Sequence, residues 1–303
     1  MTATSIAVLG PGGVGGVVAS LTGALCVGTE RTVEAIRRDG LTLVRDGERS
    51  VAHPEAVARL DRPVSLLVVA VMAHDLEPAL DRIAPGALEG ALVLPLQNGL
   101  EQVERIRACA SLLRAPTATV VAGAIGRLEA WTDEPGVVVL RGPGAPRITA
   151  SSDVVSVETL ERSLAPLRVA GLELAIGVSE RAVLWEKVAR LAPLAAATAA
   201  SALDVGELRG AEPWRTRLRA AVDEACAVAA AEGVPLDPAD QWAIIEALPS
   251  DLTTSTARDA RAGRPTELDA ISGSVARAGK RLGVPTPSLE ALLEEARCRT
   301  PSR

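Results

Sequence analysis

The chain has 303 residues, more than a single hydrophobic core usually spans, so the sequence predicts two domains. Its formal net charge of −6, without a basic run, argues against nucleic-acid binding. No segment reaches the ~18 apolar residues of a membrane span or has a signal-peptide pattern, so we expect a soluble, cytoplasmic protein. The scattered cysteines and histidines lack metal-ligand spacing, so we expect no metal site.

The first half of the chain alternates apolar runs with helical segments. Short β-branched runs ended by turn residues are typical of strands that are buried on both faces. They occur at 5–9, 24–27, 66–71 and 91–96, with helices predicted at 32–38 and 75–83 and a hairpin near Gly40 and Gly47. Strands that alternate with helices predict an α/β domain with a doubly wound parallel sheet.

Beyond residue 178 glycines thin out and long amphipathic stretches take over. Helices are predicted at 179–201, 214–232, 240–248, from Ser255 onward, at 266–282 and at 287–297. The sequence therefore predicts an α/β domain over residues 1–177, followed by an all-α domain over residues 178–303.

A glycine-rich turn directly follows the first predicted strand. G-x-G-x-x-G between a strand and a helix is specific for dinucleotides, whereas the bare pattern also occurs in ordinary turns. Gly10 allows the tight turn, Gly12 lets the backbone approach a pyrophosphate, and Gly15 lets helix and strand pack closely. The cofactor phosphates would lie at the helix N-terminus. The predicted cofactor-binding turn is Gly10, Pro11, Gly12, Gly13, Val14 and Gly15.

The end of the second strand offers two ways to bind the cofactor ribose. Glu30 would bond the 2′-hydroxyl of NAD, whereas Arg31 with the Thr29 hydroxyl would hold the 2′-phosphate of NADP. We favour NADP(H), because a guanidinium matches a phosphate geometrically, and NAD remains the alternative.

Several motifs together resemble the ketopantoate reductase family. The resemblance extends from residue 5 to about residue 295. Its motifs are IAVLGPGGVGG at the start, LQNG at 96–99, LWEK at 184–187, GEL at 206–208 and STARDARAGRPTELDAISG at 255–273. The layout also occurs in the wider 6-phosphogluconate dehydrogenase-like superfamily, within which LQNG and the S-x-x-x-D…TE spacing favour ketopantoate reductase. The resemblance implies a Rossmann domain followed by a helical domain.

The resemblance also implies roles for individual residues. Lys187 would be the proton donor, Asn98 and Ala122 would contact the cofactor, Ser255 would hold the substrate carboxylate, and Glu267 would contact the nicotinamide ribose. Asn98 and Lys187 would also bind substrate.

Lys187 suits the proposed chemistry because hydride transfer to a ketone leaves charge on oxygen, which an ammonium stabilises and protonates. It lies at the border of a helix's apolar stripe, where burial would lower its pKa. The alternative is a solvated lysine between Glu186 and Arg190.

The other candidates have structural alternatives too. Asn98 precedes a glycine and suits a turn. Ser255 suits a helix cap, which is compatible with carboxylate binding. Glu267, in the first turn of a predicted helix, is favoured there by the helix dipole alone.

The chain departs from the family at four positions. The family places asparagines four and eight residues after its lysine and another before GEL, where this sequence has Leu191, Ala195 and Val205. A lysine that the family has near the end of the 66–71 strand corresponds to Met72, so one cationic contact to cofactor or substrate is missing. The substrate side, with Leu191 and Ala195, is more apolar and discriminates hydroxyls less strongly.

Three functions compete. The first, which we favour, is an NADPH-dependent reductase of ketopantoate reductase type that acts on a 2-keto acid or related carbonyl, less polar than ketopantoate. The second is 2-dehydropantoate 2-reductase itself, in pantothenate biosynthesis. The third is a non-catalytic NADP-binding sensor or scaffold, which would not need a proton donor. The expected partner is a small-molecule keto substrate, with the protein a monomer or homodimer.

Overall fold

The computed structural model describes residues 5–84, 86–109, 115–142 and 144–299. Its contacts divide the chain into two compact units. The N-terminal unit comprises Met1–Gln97 and Gln102–Val183, and the C-terminal unit comprises Asn98–Glu101 and Leu184–Arg303. The domain boundary at residue 177 stays a prediction, but the division assigns the short Asn98–Glu101 segment to the C-terminal unit.

The N-terminal unit is built on a parallel sheet of six strands. Its strands are β1 (Ile6–Leu9), β2 (Leu25–Val27), β5 (Ala56–Val57), β6 (Leu66–Val69), β7 (Leu92–Pro95) and β8 (Thr119–Val120), in the spatial order β5-β2-β1-β6-β7-β8. The chain leaves β1 for β2 on one side and later returns to β6 on the other, so the strand order reverses between β1 and β6. Such a reversal marks the ligand-binding edge of a doubly wound sheet, and the predicted fold class is confirmed.

Two smaller sheets complete the N-terminal unit. One has the order β10-β11-β3-β4, with β3 (Leu41–Arg45), β4 (Glu48–Ala52), β10 (Glu129–Glu134) and β11 (Val137–Arg141); the other has the order β13-β12-β9, with β9 (Ala122–Gly126), β12 (Arg147–Ser151) and β13 (Glu173–Ile176). The predicted hairpin is β3–β4, whose turn residues Asp46 and Gly47 both have positive φ. The strands between residues 119 and 151 were not predicted. Strand β10 is half-buried to exposed and lacks a continuous apolar run, whereas β11 has the apolar run VVVL, a strand signal that was overlooked.

Five helices of the N-terminal unit are described. They are α1 (Gly13–Thr22), α2 (Glu30–Asp39), α3 (Leu76–Leu80), α4 (Gln102–Ala108) and α5 (Val157–Val169). Helix α1 contacts β1 and also β3, β10 and β11. Helix α2 begins two residues earlier than predicted because Thr29, rather than a later residue, is its N-cap.

The C-terminal unit is helical, as predicted. Its helices are α6 (Glu180–Ser201, whose first four residues belong to the N-terminal unit), α7 (Val205–Gly210), α8 (Trp214–Ala231), α9 (Pro238–Glu246), α10 (Ser255–Arg261), α11 (Ser274–Leu282) and α12 (Pro287–Arg299). The helix predicted from Thr266 begins later, as a π-helical turn over Asp269–Gly273 that continues into α11. No helix in the described part of the chain is long and apolar enough to cross a membrane.

Candidate functional site

The glycine turn between β1 and α1 is held by contacts that leave no room for side chains. A Cβ atom on Gly15 would lie 2.1 Å from the Gly10 carbonyl oxygen, and one on Gly13 would lie 2.7 Å from the Ala130 carbonyl oxygen. Gly10 has φ +88°, and its Cβ would lie 2.5 Å from Val71. These three glycines are therefore required by the protein's own packing.

Gly12 differs from the other glycines of the turn. The nearest atom to a Cβ there would be the Thr132 hydroxyl at 3.6 Å, an ordinary contact, and φ is −88°. Gly12 is also the N-cap of α1 and has no side chain that could cap the helix. The free N–H groups of the first helical turn suit an anion such as a pyrophosphate, so a close ligand explains a glycine that the fold does not require.

A cavity of about 490 Å³ opens beside the turn, entirely within the N-terminal unit. It lies at the carboxyl ends of β1 and β2, where ligands of doubly wound sheets bind. Its lining comes from the turn, the start of α2, the segment after β6 and the end of β10, including Gly10, Pro11, Gly12, Thr29, Arg31, Asp75, Arg82 and Thr132. The cavity and the glycine turn together fit a dinucleotide.

The predicted ribose-binding residues both line this cavity. The Thr29 hydroxyl caps α2 by accepting a bond from the Thr32 N–H at 3.4 Å, and it lies 3.0 Å from the Thr32 hydroxyl. Arg31 is exposed, and no carboxylate in the described part of the chain pairs with it. Glu30, the alternative ribose ligand, is exposed in the first turn of α2 and does not line the cavity.

Two further predicted cofactor contacts lie outside the cavity lining. Met72 is half-buried and precedes a 3₁₀ turn over Ala73–Asp75. Ala122 is fully buried at the start of β9, paired with Ser151. Their roles toward the cofactor stay predictions.

Lys187 lies on α6 in the C-terminal unit and is only partly accessible. The pKa of its ammonium is lowered to about 8, chiefly by burial and also by the charge of Arg190, while the carboxylate of Glu267 acts in the opposite direction and raises it. The partial burial of the side chain argues against the alternative of an ordinary solvated lysine.

Asn98 and Glu267, which are distant in sequence, come together in the C-terminal unit. The Asn98 side-chain amide donates to the Glu267 carboxylate at 3.5 Å, and Glu267 is only 7% exposed. Glu267 lies before the π-helical turn, and its carbonyl accepts from the Ile271 N–H at 2.9 Å. Its position in the first turn of a helix from Thr266 was therefore wrong, although it remains beside a helix N-terminus.

The cap of α10 is Thr254 and not Ser255. The Thr254 hydroxyl accepts from the Ala257 N–H at 3.1 Å and lies 2.7 Å from the Thr198 hydroxyl. Ser255 is the first residue of the helix and is exposed. The structure thus removes the capping alternative for Ser255, whose binding of a carboxylate stays a prediction.

The apolar positions that depart from the family differ in accessibility. Leu191 keeps partly accessible surface on α6, one turn after Lys187. Ala195 and Val205 are fully buried. Leu191 is therefore the more accessible of the two apolar positions that were predicted to contact substrate, and both contacts stay predictions.

Two features of the site were missed from the sequence. Arg82 and Thr132 line the cavity, but Arg82 follows a short helix without any motif and Thr132 lies on the unpredicted strand β10.

The composition of the sequence contains a further signal that Lys187 is special. Lys187 and Lys280 are the only lysines in the sequence, against 30 arginines. Unlike arginine, lysine loses its proton readily when it is buried.

Comparisons with known proteins agree with this architecture. The ketopantoate reductase PanE/ApbA family model matches residues 6–152, and the ketopantoate reductase PanE/ApbA C-terminal model matches residues 181–299. A 2-dehydropantoate 2-reductase of Mycobacterium tuberculosis is 31% identical over 304 residues, 96% of either chain.

Solved structures show the same fold. A PanE/ApbA family ketopantoate reductase from Ralstonia eutropha JMP134 has a TM-score of 0.82 at 26% identity, covering 98% of each chain. A D-mandelate dehydrogenase, solved with NADH and anilino(oxo)acetate, has a TM-score of 0.87 at 22% identity, again over 98% of each chain. The fold, the glycine turn and the two family matches lead to one conclusion: the chain belongs to the ketopantoate reductase family.

Proposed function

We propose that this family member is an NADPH-dependent reductase of 2-keto acids whose side chains are less polar than that of ketopantoate, with Lys187 as the proton donor. The observation that carries the proposal is the partly buried Lys187, whose pKa is lowered to about 8. At neutral pH such an ammonium is still mostly protonated, yet it gives up its proton far more readily than an exposed lysine.

The chemistry divides between the cofactor and the protein. When bound, the reduced dinucleotide supplies a hydride to the carbonyl carbon of the substrate. The Lys187 ammonium stabilises the negative charge that develops on the carbonyl oxygen and transfers one proton to it, which yields the hydroxy acid. The Glu267 carboxylate favours the protonated lysine, and the hydrogen bond from Asn98 orients that carboxylate.

The choice of NADPH rests on the ribose end of the cavity. Arg31 lines the cavity at the N-terminus of α2, and no carboxylate in the described residues forms an ion pair with it. A 2′-phosphate would gain both the guanidinium and the helix dipole. The competing cofactor is NADH, since Glu30 is the residue next to Arg31 in the chain.

The choice of substrate rests on Leu191, which lies one turn from Lys187 and has no polar atom to bond a hydroxyl. A hydroxyl buried against it would lose its hydrogen bonds to water, which costs a polar substrate ~1–3 kcal/mol. Ketopantoate itself is the second candidate substrate, favoured by the 31% identity to an enzyme named 2-dehydropantoate 2-reductase.

The test is NADPH oxidation by the purified protein with a matched panel of 2-keto acids. Ketopantoate and 3-methyl-2-oxobutanoate differ by a hydroxymethyl group, and phenylglyoxylate adds an aromatic side chain. We expect kcat/KM to be higher for the two apolar acids than for ketopantoate. A higher kcat/KM for ketopantoate would show that ketopantoate, and not a less polar keto acid, is the substrate. NADPH binding without turnover of any carbonyl compound would identify a non-catalytic dinucleotide-binding protein.

A further inference from the structure

The lining of the cavity has an unfavourable charge balance for a phosphate. Asp75, Asp133 and Glu134 line the cavity together with Arg31. The 2′-phosphate of NADP, like any phosphate monoester, carries about −1.5 to −2 charges at neutral pH. One exposed guanidinium does not offset that charge in the presence of three carboxylates, so a binding site for NADP at this position requires a further cation.

Arg82 supplies that cation from the segment after α3. It lines the same cavity and is half-buried, so its charge is screened less by water than that of the exposed Arg31. One terminal nitrogen, Nη1, donates to the carbonyl oxygens of Gly28 at 3.3 Å and of Ala58 at 3.4 Å. No carboxylate in the described residues pairs with Arg82.

The two carbonyls determine where the Arg82 guanidinium is held. Gly28 directly follows β2 and Ala58 directly follows β5, so Arg82 is anchored at the carboxyl ends of the two outer strands. This is the edge at which doubly wound folds distinguish the two cofactors. The carbonyls occupy one nitrogen, and the remaining N–H groups of the fork are available for phosphate oxygens.

We propose that Arg82 is a specificity-determining residue that binds the 2′-phosphate of the cofactor jointly with Arg31. The Arg82 guanidinium is held in place by its bonds to the Gly28 and Ala58 carbonyls, whereas the Arg31 side chain is exposed. The proposal rests on the proposed function only in that the cavity takes a dinucleotide; it does not depend on which carbonyl compound is reduced.

The experiment measures binding of adenosine fragments, which need no catalysis. Adenosine 2′,5′-bisphosphate and 5′-AMP are titrated against the wild type, Arg82→Gln, Arg31→Gln and the control Arg59→Gln, and the same variants are titrated with NADPH and NADH. Glutamine at position 82 retains a donor for the carbonyls but no charge. Arg59 is an exposed neighbour that donates to the Asp81 carbonyl and does not line the cavity.

We expect Arg82→Gln to weaken binding of the bisphosphate and of NADPH about tenfold, a typical effect of losing one charge-assisted bond, while 5′-AMP and NADH change less than about twofold. Arg59→Gln should bind all four compounds like the wild type. An equal loss for all four compounds would show that Arg82 only supports the strand ends and would overturn the proposal, as would no loss at all.

The wild type provides a further check. Equal affinity for the bisphosphate and 5′-AMP would overturn the proposal as well. By contrast, an Arg82-dependent preference for NADPH in a protein that reduces no keto acid would refute the proposed reaction and leave this inference intact.

Discussion

The glycine turn and the lysine helix illustrate two different reasons for a residue to occupy its position. In the turn, Gly10, Gly13 and Gly15 are required by hard steric contacts, the closest of which would bring a Cβ to 2.1 Å from a carbonyl oxygen. On α6, the partly buried position of Lys187 disfavours the charged ammonium and lowers its pKa. Backbone geometry dominates the first region, and desolvation with neighbouring charges dominates the second.

This difference shows what substitutions in each region report. A glycine-to-alanine substitution in the turn tests whether the protein's own packing or the bound cofactor requires the space that the added Cβ would occupy. Folding stability and cofactor affinity are therefore the quantities to measure. A change near Lys187 alters proton affinity, so rate and pH dependence are the readouts.

Gly15→Ala is expected to have the largest effect. Its Cβ would overlap the Gly10 carbonyl, which cannot move without opening the turn, so unfolding free energy should fall by about 3 kcal/mol or more. Gly12→Ala meets only an ordinary contact and should fold normally, yet lose at least about tenfold in NADPH affinity because the pyrophosphate needs that space.

Thermal unfolding and NADPH titration measure the two effects. Gly126→Ala is the control, since a Cβ there meets nothing within 4 Å. Wild-type NADPH affinity in Gly12→Ala would contradict the assignment of the turn to the pyrophosphate.

Lys187→Ala should lower kcat about 10²-fold or more, because the developing alkoxide loses its proton donor, while the NADPH dissociation constant stays near the wild-type value. The control is Lys280→Ala, at the only other lysine of the chain, which is exposed on α11. Steady-state kinetics on an accepted keto acid test both variants. An unchanged kcat in Lys187→Ala would refute the role of this lysine.

The pH profile of reduction should follow the pKa of Lys187. Reduction needs the protonated amine, so kcat/KM should be constant below pH about 8 and fall above it. In the reverse direction the deprotonated amine accepts the proton, so the rate should rise through the same pH. A profile that is flat up to pH 10 would show that another group donates the proton.

Two charge-removing variants should shift this profile in opposite directions. Glu267→Gln removes a carboxylate that raises the pKa of Lys187, so the descending limb should move to lower pH. Arg190→Gln removes a cation that lowers this pKa, so the limb should move to higher pH. Shifts in the same direction would mean that local rearrangement, and not charge, dominates.

The fold was more predictable than the site. Apolar runs in β1, β6 and β7 revealed the parallel sheet because strands buried on both faces have no polar alternation. The strand β10, with Thr132 of the cavity wall, was missed because it lacks a continuous apolar run and its second half is exposed. The start of the helix after Glu267 was misplaced, since a π-helical turn has no distinct sequence signal.

The sequence alone determined the glycine turn, the buried strands β1, β2, β6 and β7 and the helical C-terminal unit, because these depend on local backbone geometry and hydrophobic period. The tertiary structure decided which partners act on each side chain. It brought Asn98 to Glu267 across 169 residues, assigned the cap of α10 to Thr254, lowered the pKa of Lys187 by burial, and placed Arg82 in the same cavity as Arg31. Desolvation and charge act through space. Local sequence patterns can therefore indicate where a site lies, but residues that are far apart in the chain determine its pKa values and its ligand contacts.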